Sequence, residues 1–110
     1  MNGGVVLDLG RYTEPALAIL VALADGPRHG YGIMEEAEAR WGVRLGPGTL
    51  YAALARLERD GLISALPPQE RRRPYRLTRK GRNELQAQLD GLRRMAASGL
   101  RSLRAARGTA

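Results

Sequence analysis

Pro47-Gly48-Thr49-Leu50-Tyr51-Ala52-Ala53-Leu54-Ala55-Arg56-Leu57-Glu58-Arg59-Asp60-Gly61 carries the decisive pattern of this chain. Proline is favoured in the first turn of a helix, where its missing N–H would have no intrahelical partner anyway. Glycine ends a helix by tolerating the left-handed conformation. Between them Leu50, Leu54 and Leu57 recur at i, i+4 and i+7, which predicts a helix over 47–60 with one buried stripe. Opposite that stripe stand Gly48, Thr49, Ala52, Ala55, Arg56 and Arg59, so the outer face combines small side chains, a hydroxyl and two guanidinium groups. Tyr51 falls on the flank between the faces, able to pack against the preceding helix or to turn its hydroxyl outward.

Upstream, Thr13-Glu14-Pro15 reads as a capping residue followed by a first-turn proline. Residues 16–24 are apolar on nearly every side, the pattern of a helix buried all round. One chain of 110 residues offers little material to surround such a helix, so contact with a second subunit is expected. Asp25-Gly26-Pro27 stops it. A second helix over 29–41 places Tyr31, Ile33, Met34, Ala37 and Trp41 on one face and Glu35, Glu36, Glu38 and Arg40 toward solvent, with Gly42 closing it. Tyr31 and Trp41 read as packing residues. His29, the single histidine, reads as a cap or turn residue.

Downstream, residues 62–66 and 75–77 read as two strands joined by a tip, 67–74, whose prolines forbid helix. The tip carries Arg71-Arg72-Arg73. Thr78 then reads as the N-cap of a last helix over 79–104. Its Leu85, Leu89, Leu92, Ala96 and Leu103 have coiled-coil-like spacing, broken at Gly99, which predicts pairing with a twin. The expected fold is mainly α with a small β-hairpin, a winged helix-turn-helix plus a dimerisation helix. The expected organisation is an arm at 1–12, the winged domain at 13–78, the dimerisation helix at 79–104 and a tail at 105–110.

Charge is distributed unevenly. Residues 1–60 hold six Arg against eight acids, a net of −2, whereas 61–110 hold eleven Arg and one Lys against three acids, a net of +9. Such asymmetry points to a polyanion-binding face. The absence of cysteine excludes disulfides and thiolate metal sites, and one histidine without grouped carboxylates makes no metal site. No nucleophile triad, phosphate-binding glycine loop or paired carboxylates in a cleft appear, so neither enzymatic activity nor a cofactor is expected. The longest apolar run is too short for a membrane span, and the N-terminus lacks a basic region feeding an apolar stretch. A cytoplasmic protein with no membrane partner is the expectation.

Four segments in this order resemble the PadR family of bacterial transcriptional regulators, in its short form with one C-terminal dimerisation helix. They are Gly26-Pro27-Arg28-His29-Gly30-Tyr31-Gly32-Ile33, Pro47 through Leu54, Arg56 through Ile63, and Tyr75-Arg76-Leu77-Thr78-Arg79-Lys80-Gly81-Arg82, together covering roughly residues 14–90. Departures are local: Ala52 stands where such proteins often have Pro, Gly46 where a Ser commonly precedes the Pro-Gly, and Gly32 where a polar residue is usual. The resemblance implies DNA binding and admits a small aromatic or drug-like effector, with Trp41 and the methionines as candidate pocket residues.

The outer face of the 47–60 helix suits a major groove. Small residues allow close approach, Arg bonds guanine bidentately, and Thr meets a thymine methyl or a base edge. Gly48, Thr49, Tyr51, Ala52 and Arg56 are therefore the expected DNA contacts on this helix. Arg71, Arg72 and Arg73 at the hairpin tip would neutralise phosphates or enter the minor groove, with Arg76, Arg79 and Lys80 as weaker phosphate candidates. The expected function is a repressor that reads a pseudo-palindromic duplex operator as a homodimer and is released by an effector. A winged-helix protein–protein adaptor without a DNA target is the alternative, served by the same basic charge but not by the small-and-Arg helix face.

Overall fold

The computed structural model describes residues 14–109. The elements follow as α1 (Pro15–Ala22), β1 (Arg28–His29), α2 (Gly30–Trp41), α3 (Pro47–Arg59), β2 (Ile63–Ala65), β3 (Pro74–Leu77) and α4 (Arg79–Thr109). This is the expected order with one addition. β1 joins the hairpin to give an antiparallel sheet in the order β1-β3-β2, through the register Arg28↔Tyr75 and His29↔Pro74. A two-residue strand has no room to display alternation, so only the pairing reveals it. The arm at 1–12, the capping residue Thr13 and residue 110 lie outside the described residues.

α1 is capped at Glu14, whose side chain makes no capping bond, and it ends at Ala22, two residues short of the expected end. Its C-terminus is held by Arg28: Nε donates to the Ala22 carbonyl at 2.8 Å, and Nη2 pairs with Asp25 at 3.3 Å and Glu36 at 3.4 Å. The chain covers most of this helix unaided, burying Ala18, Ile19, Leu20, Ala22 and Leu23 against α2, α3 and α4 and leaving Leu17 and Val21 half-buried. The expectation that α1 requires a second subunit for its cover is corrected to that remaining edge.

In α2, Ile33 and Ala37 enter the core, while Gly42 ends the helix at φ 68°. Tyr31 and Trp41 are 56% and 40% exposed, so neither is the core residue expected. Tyr31 lies off the face that buries Gly30, Ile33 and Ala37, and Trp41 is the last residue of the helix, one turn beyond Ala37. In α3 the Leu50, Leu54 and Leu57 stripe is buried, joined by Ala53. Asp60 is the C-cap and Gly61, at φ 78°, turns the chain into the wing.

The wing is riveted to α4 through Thr78. Its hydroxyl donates to the Gly61 carbonyl at 2.6 Å and accepts from the Gly81 N–H at 3.0 Å, while its own N–H donates to the Leu62 carbonyl at 3.1 Å. α4 then runs 31 residues, about 46 Å at 1.5 Å per residue. Gly91 and Gly99 do not interrupt it, and residues 105–109 continue the helix instead of forming a tail. The Ala, Leu and Arg around them are strong helix formers that outweigh a cost of about 1 kcal/mol per glycine. Leu85 is buried and Leu92 half-buried, whereas Leu89 (39%), Leu100 (57%) and Leu103 (63%) are exposed. Beside its root, Leu17, Ala18, Val21, Trp41, Val43 and Leu89 line an apolar groove of about 300 Å³.

Candidate nucleic-acid interface

Burying Leu50, Ala53, Leu54 and Leu57 turns the opposite side of α3 outward, and Gly48, Thr49, Ala52, Ala55, Arg56 and Arg59 are all exposed. The N-cap is Gly46, with no side-chain capping bond, so the first N–H groups of the helix carry no side-chain acceptor there. A β-carbon on Gly48 would meet nothing within 4 Å and its φ is not left-handed. The fold itself does not require glycine at this position. Arg56 lies 3.8 Å from Glu14 at the start of α1, an exposed pair that tethers the guanidinium loosely.

Tyr51 leans off the flank of α3 over the N-terminus of α2. A β-carbon on Gly30 would sit 2.7 Å from the tyrosine hydroxyl oxygen, so Gly30 makes room for the ring. Tyr51 thus packs against the start of α2, hydroxyl included, as the packing half of the reading made from sequence had it, while 53% of the residue stays exposed. Arg71, Arg72 and Arg73 are exposed on the wing. There, Gln69 and Arg72 exchange N–H to carbonyl bonds of 2.7 and 2.8 Å around Glu70 and Arg71, which adopt φ values of 50° and 69°. Two consecutive left-handed residues are the signature of a tight hairpin turn that normally selects Asn-Gly.

A cleft of about 490 Å³ between α2, α3 and the wing brings Tyr51 and the three arginines together with His29, Gly30, Tyr31 and Tyr75. Gly48, Ala52 and Arg56 are not part of this cleft; they lie on the helix face beside it. Within the cleft wall, burial pushes the Tyr75 phenol above its ordinary pKa of 10.0, Glu58 adding to the rise and Arg73 opposing it.

Three further residues line this cleft that the sequence reading did not count among the DNA-facing ones, His29, Tyr31 and Tyr75. His29 is the N-cap of α2, its Nδ1 accepting from the Gly32 N–H at 3.1 Å, which bears out the capping role. Its Nε2 lies 3.1 Å from Arg72 Nη1, a contact across 43 residues of sequence that no local pattern encodes. Tyr31 and Tyr75 enter through exposure and through the β1–β3 pairing. The weaker phosphate candidates diverge: Lys80 donates to the Asp60 carbonyl at 2.9 Å, at the C-terminal end of α3, and Arg76 donates to the Leu77 carbonyl at 3.2 Å. Lys80 thus completes a helix end, far along α3 from Gly48 and Thr49. Among the described residues no group of three or more His, Asp or Glu is arranged to hold a metal ion, and no helix is long and apolar enough to cross a membrane.

Residues 19–87 match the family model of the transcriptional regulator PadR-like family. An uncharacterised 37.1 kDa protein from a Streptomyces fradiae transposon is 44% identical over 86 residues, 78% of this chain but 25% of that protein. A transcriptional regulator of Mycobacterium tuberculosis is 43% identical over 72 residues, spanning 63% of this chain and 66% of its own length. Among solved structures, a PadR family transcription regulator from Clostridium difficile superposes with a TM-score of 0.73 at 26% identity, over 81% of this chain and 97% of that one. A transcriptional regulator from Clostridium thermocellum gives 0.71 at 26% identity, covering 89% and 97%. Bacillus subtilis PadR, solved in complex with operator DNA, gives 0.61 at 28% identity over 67% of this chain and 45% of its own. With its helix order, wing and family match in agreement, the chain belongs to the PadR-like family of transcriptional regulators.

Proposed function

We propose that this protein is a homodimeric repressor that binds a pseudo-palindromic duplex operator and is released by a small-molecule effector. One observation carries the DNA reading: the exposed small-and-Arg face of α3 lies beside a cleft holding three wing arginines. The helix would enter the major groove, with Thr49 and Arg56 at base edges and Gly48 and Ala52 permitting close approach. Arg71, Arg72 and Arg73 would hold the flanking phosphates, supplying affinity and salt dependence more than sequence choice. The likeness to a PadR solved in complex with operator DNA supports duplex DNA as the partner.

The dimer rests on α4, whose Leu100 and Leu103 are apolar and exposed, and on the groove at its root. Two recognition helices related by a two-fold axis would read half-sites about one helical turn apart, roughly 34 Å, or a multiple of it. An aromatic effector seated against Trp41, beside the root of α4, would change that separation and lower operator affinity.

The test is fluorescence anisotropy with the protein's own upstream DNA and with a random duplex, each at two salt concentrations, followed by footprinting. Expected are salt-sensitive binding to both, tighter binding to the upstream fragment, and a symmetric footprint. Absence of salt-sensitive binding to any duplex would sink this reading in favour of the adaptor.

A further inference from the structure

The contact between His29 and Arg72 is one acceptor short. A neutral imidazole has one acceptor nitrogen and one N–H. The Gly32 N–H takes the acceptor at Nδ1, so Nε2 must carry the proton, yet the Arg72 guanidinium points its own N–H at that same Nε2 from 3.1 Å. Two donors converge with nothing between them to accept. The alternative tautomer only moves the conflict, since Nδ1–H would then face the Gly32 N–H and α2 would lose its cap. A protonated ring fails on both sides.

An acceptor oxygen seated beside the pair and bridging Nε2–H and the guanidinium resolves this, with both donors turned toward it, and an anionic one does so best because both bonds become charge-assisted. The pair lies between two clefts of the wing, of about 520 and 490 Å³, both of which His29 and Arg72 line, so the position is open to a large polyanion. Arg71 and Arg73 add positive charge to the second cleft, which Tyr31 and Tyr51 also line.

We infer that His29 Nε2–H and Arg72 together grip a single phosphate of the DNA backbone, making His29 a phosphate-binding residue as well as a helix cap. The inference rests on the DNA-binding reading above and extends it to a residue on neither the recognition helix nor the wing. It also gives β1 a purpose. Pairing His29 with Pro74 fixes the His29 backbone against the wing, two residues from Arg72, so both groups are carried by the same sheet.

The experiment is a double-mutant cycle on a labelled random-sequence duplex, using the full chain, His29→Asn, Arg72→Ala and the double variant. Asparagine keeps the N-cap acceptor and removes Nε2–H, and a thermal melt equal to wild type checks that the fold is retained. Each single change should weaken binding by about tenfold or more, the scale of one hydrogen bond to a charged group. The double variant should bind about as Arg72→Ala does, because the two groups share one phosphate. Losses that simply multiply, or unchanged binding by His29→Asn, overturn the inference while leaving DNA binding intact. A wild-type protein that binds no duplex overturns both. In parallel, the His29 Cε1–H resonance should move on adding duplex; movement with inorganic phosphate but none with duplex would assign the pair to a small phosphorylated ligand and overturn the backbone assignment.

Discussion

Gly81 in the first turn of α4 lies with its backbone against the carbonyl of Leu62, and a β-carbon at Gly81 would collide with that oxygen. The same carbonyl accepts the Thr78 N–H, so the wing's first strand and the last helix share one backbone junction. Gly81→Ala should therefore destabilise the fold by about 1–3 kcal/mol, the usual cost of forced overpacking. Helix propensity alone predicts the opposite sign, a gain of about 1 kcal/mol. Thermal unfolding distinguishes the two directly.

Gly48 behaves in the reverse way. With open space around it and ordinary φ, Gly48→Ala should leave the free protein as stable or up to about 1 kcal/mol more stable. If α3 sits in a major groove, the added methyl should nonetheless weaken operator binding. A melt combined with an anisotropy titration would show stability and affinity moving apart; parallel changes would place Gly48 outside the interface.

At the wing tip, Glu70 holds φ 50° without being Asn or Gly. Glu70→Asn should stabilise the hairpin by about 0.5–1 kcal/mol, since Asn tolerates the left-handed region better. It should also slow amide exchange at Gln69 and Arg72. Glu70→Gln removes the charge beside the three arginines without relieving the turn, so it should raise duplex affinity while leaving the melting temperature where it was.

Arg56 is held 3.8 Å from Glu14. Because both side chains are exposed, Glu14→Gln should change stability by less than about 0.5 kcal/mol. Releasing the guanidinium should tighten operator binding by roughly twofold or more. Arg56→Ala, in contrast, should relax base preference at one operator position and cost about 1–3 kcal/mol of discrimination there. Binding-site selection with each variant reads this out.

Trp41 is the sole tryptophan and is 40% exposed beside the root of α4. If two chains pair along α4 and this groove, its fluorescence should shift to the blue with rising protein concentration. Leu103→Glu should abolish the shift and yield a monomer by sedimentation. A shift that survives Leu103→Glu would move the interface elsewhere.

The helix order, the Leu50/Leu54/Leu57 stripe, the basic wing tip and the capping role of His29 follow from local chemistry: periodicity, proline and glycine stops, and short-range side-chain bonds. Each of these is set within a few residues and is therefore readable along the chain. Other features depend on pairings between distant segments. β1 exists only because β3 lies beside it, Lys80 is drawn to the end of α3 because the wing folds back, and Trp41 stays 40% exposed at the end of α2.

The sequence by itself determined which face of α3 is buried and which is free, because a 3.6-residue period leaves one consistent solution for those leucines. It determined equally that the positive charge lies downstream of that helix. Tertiary structure alone decided that the wing arginines meet the capping end of α2, that Glu14 reaches Arg56, and that Gly81 must remain glycine. These are contacts between groups far apart along the chain. Their geometry is set by how helices and strands pack, and no spacing along the chain records it.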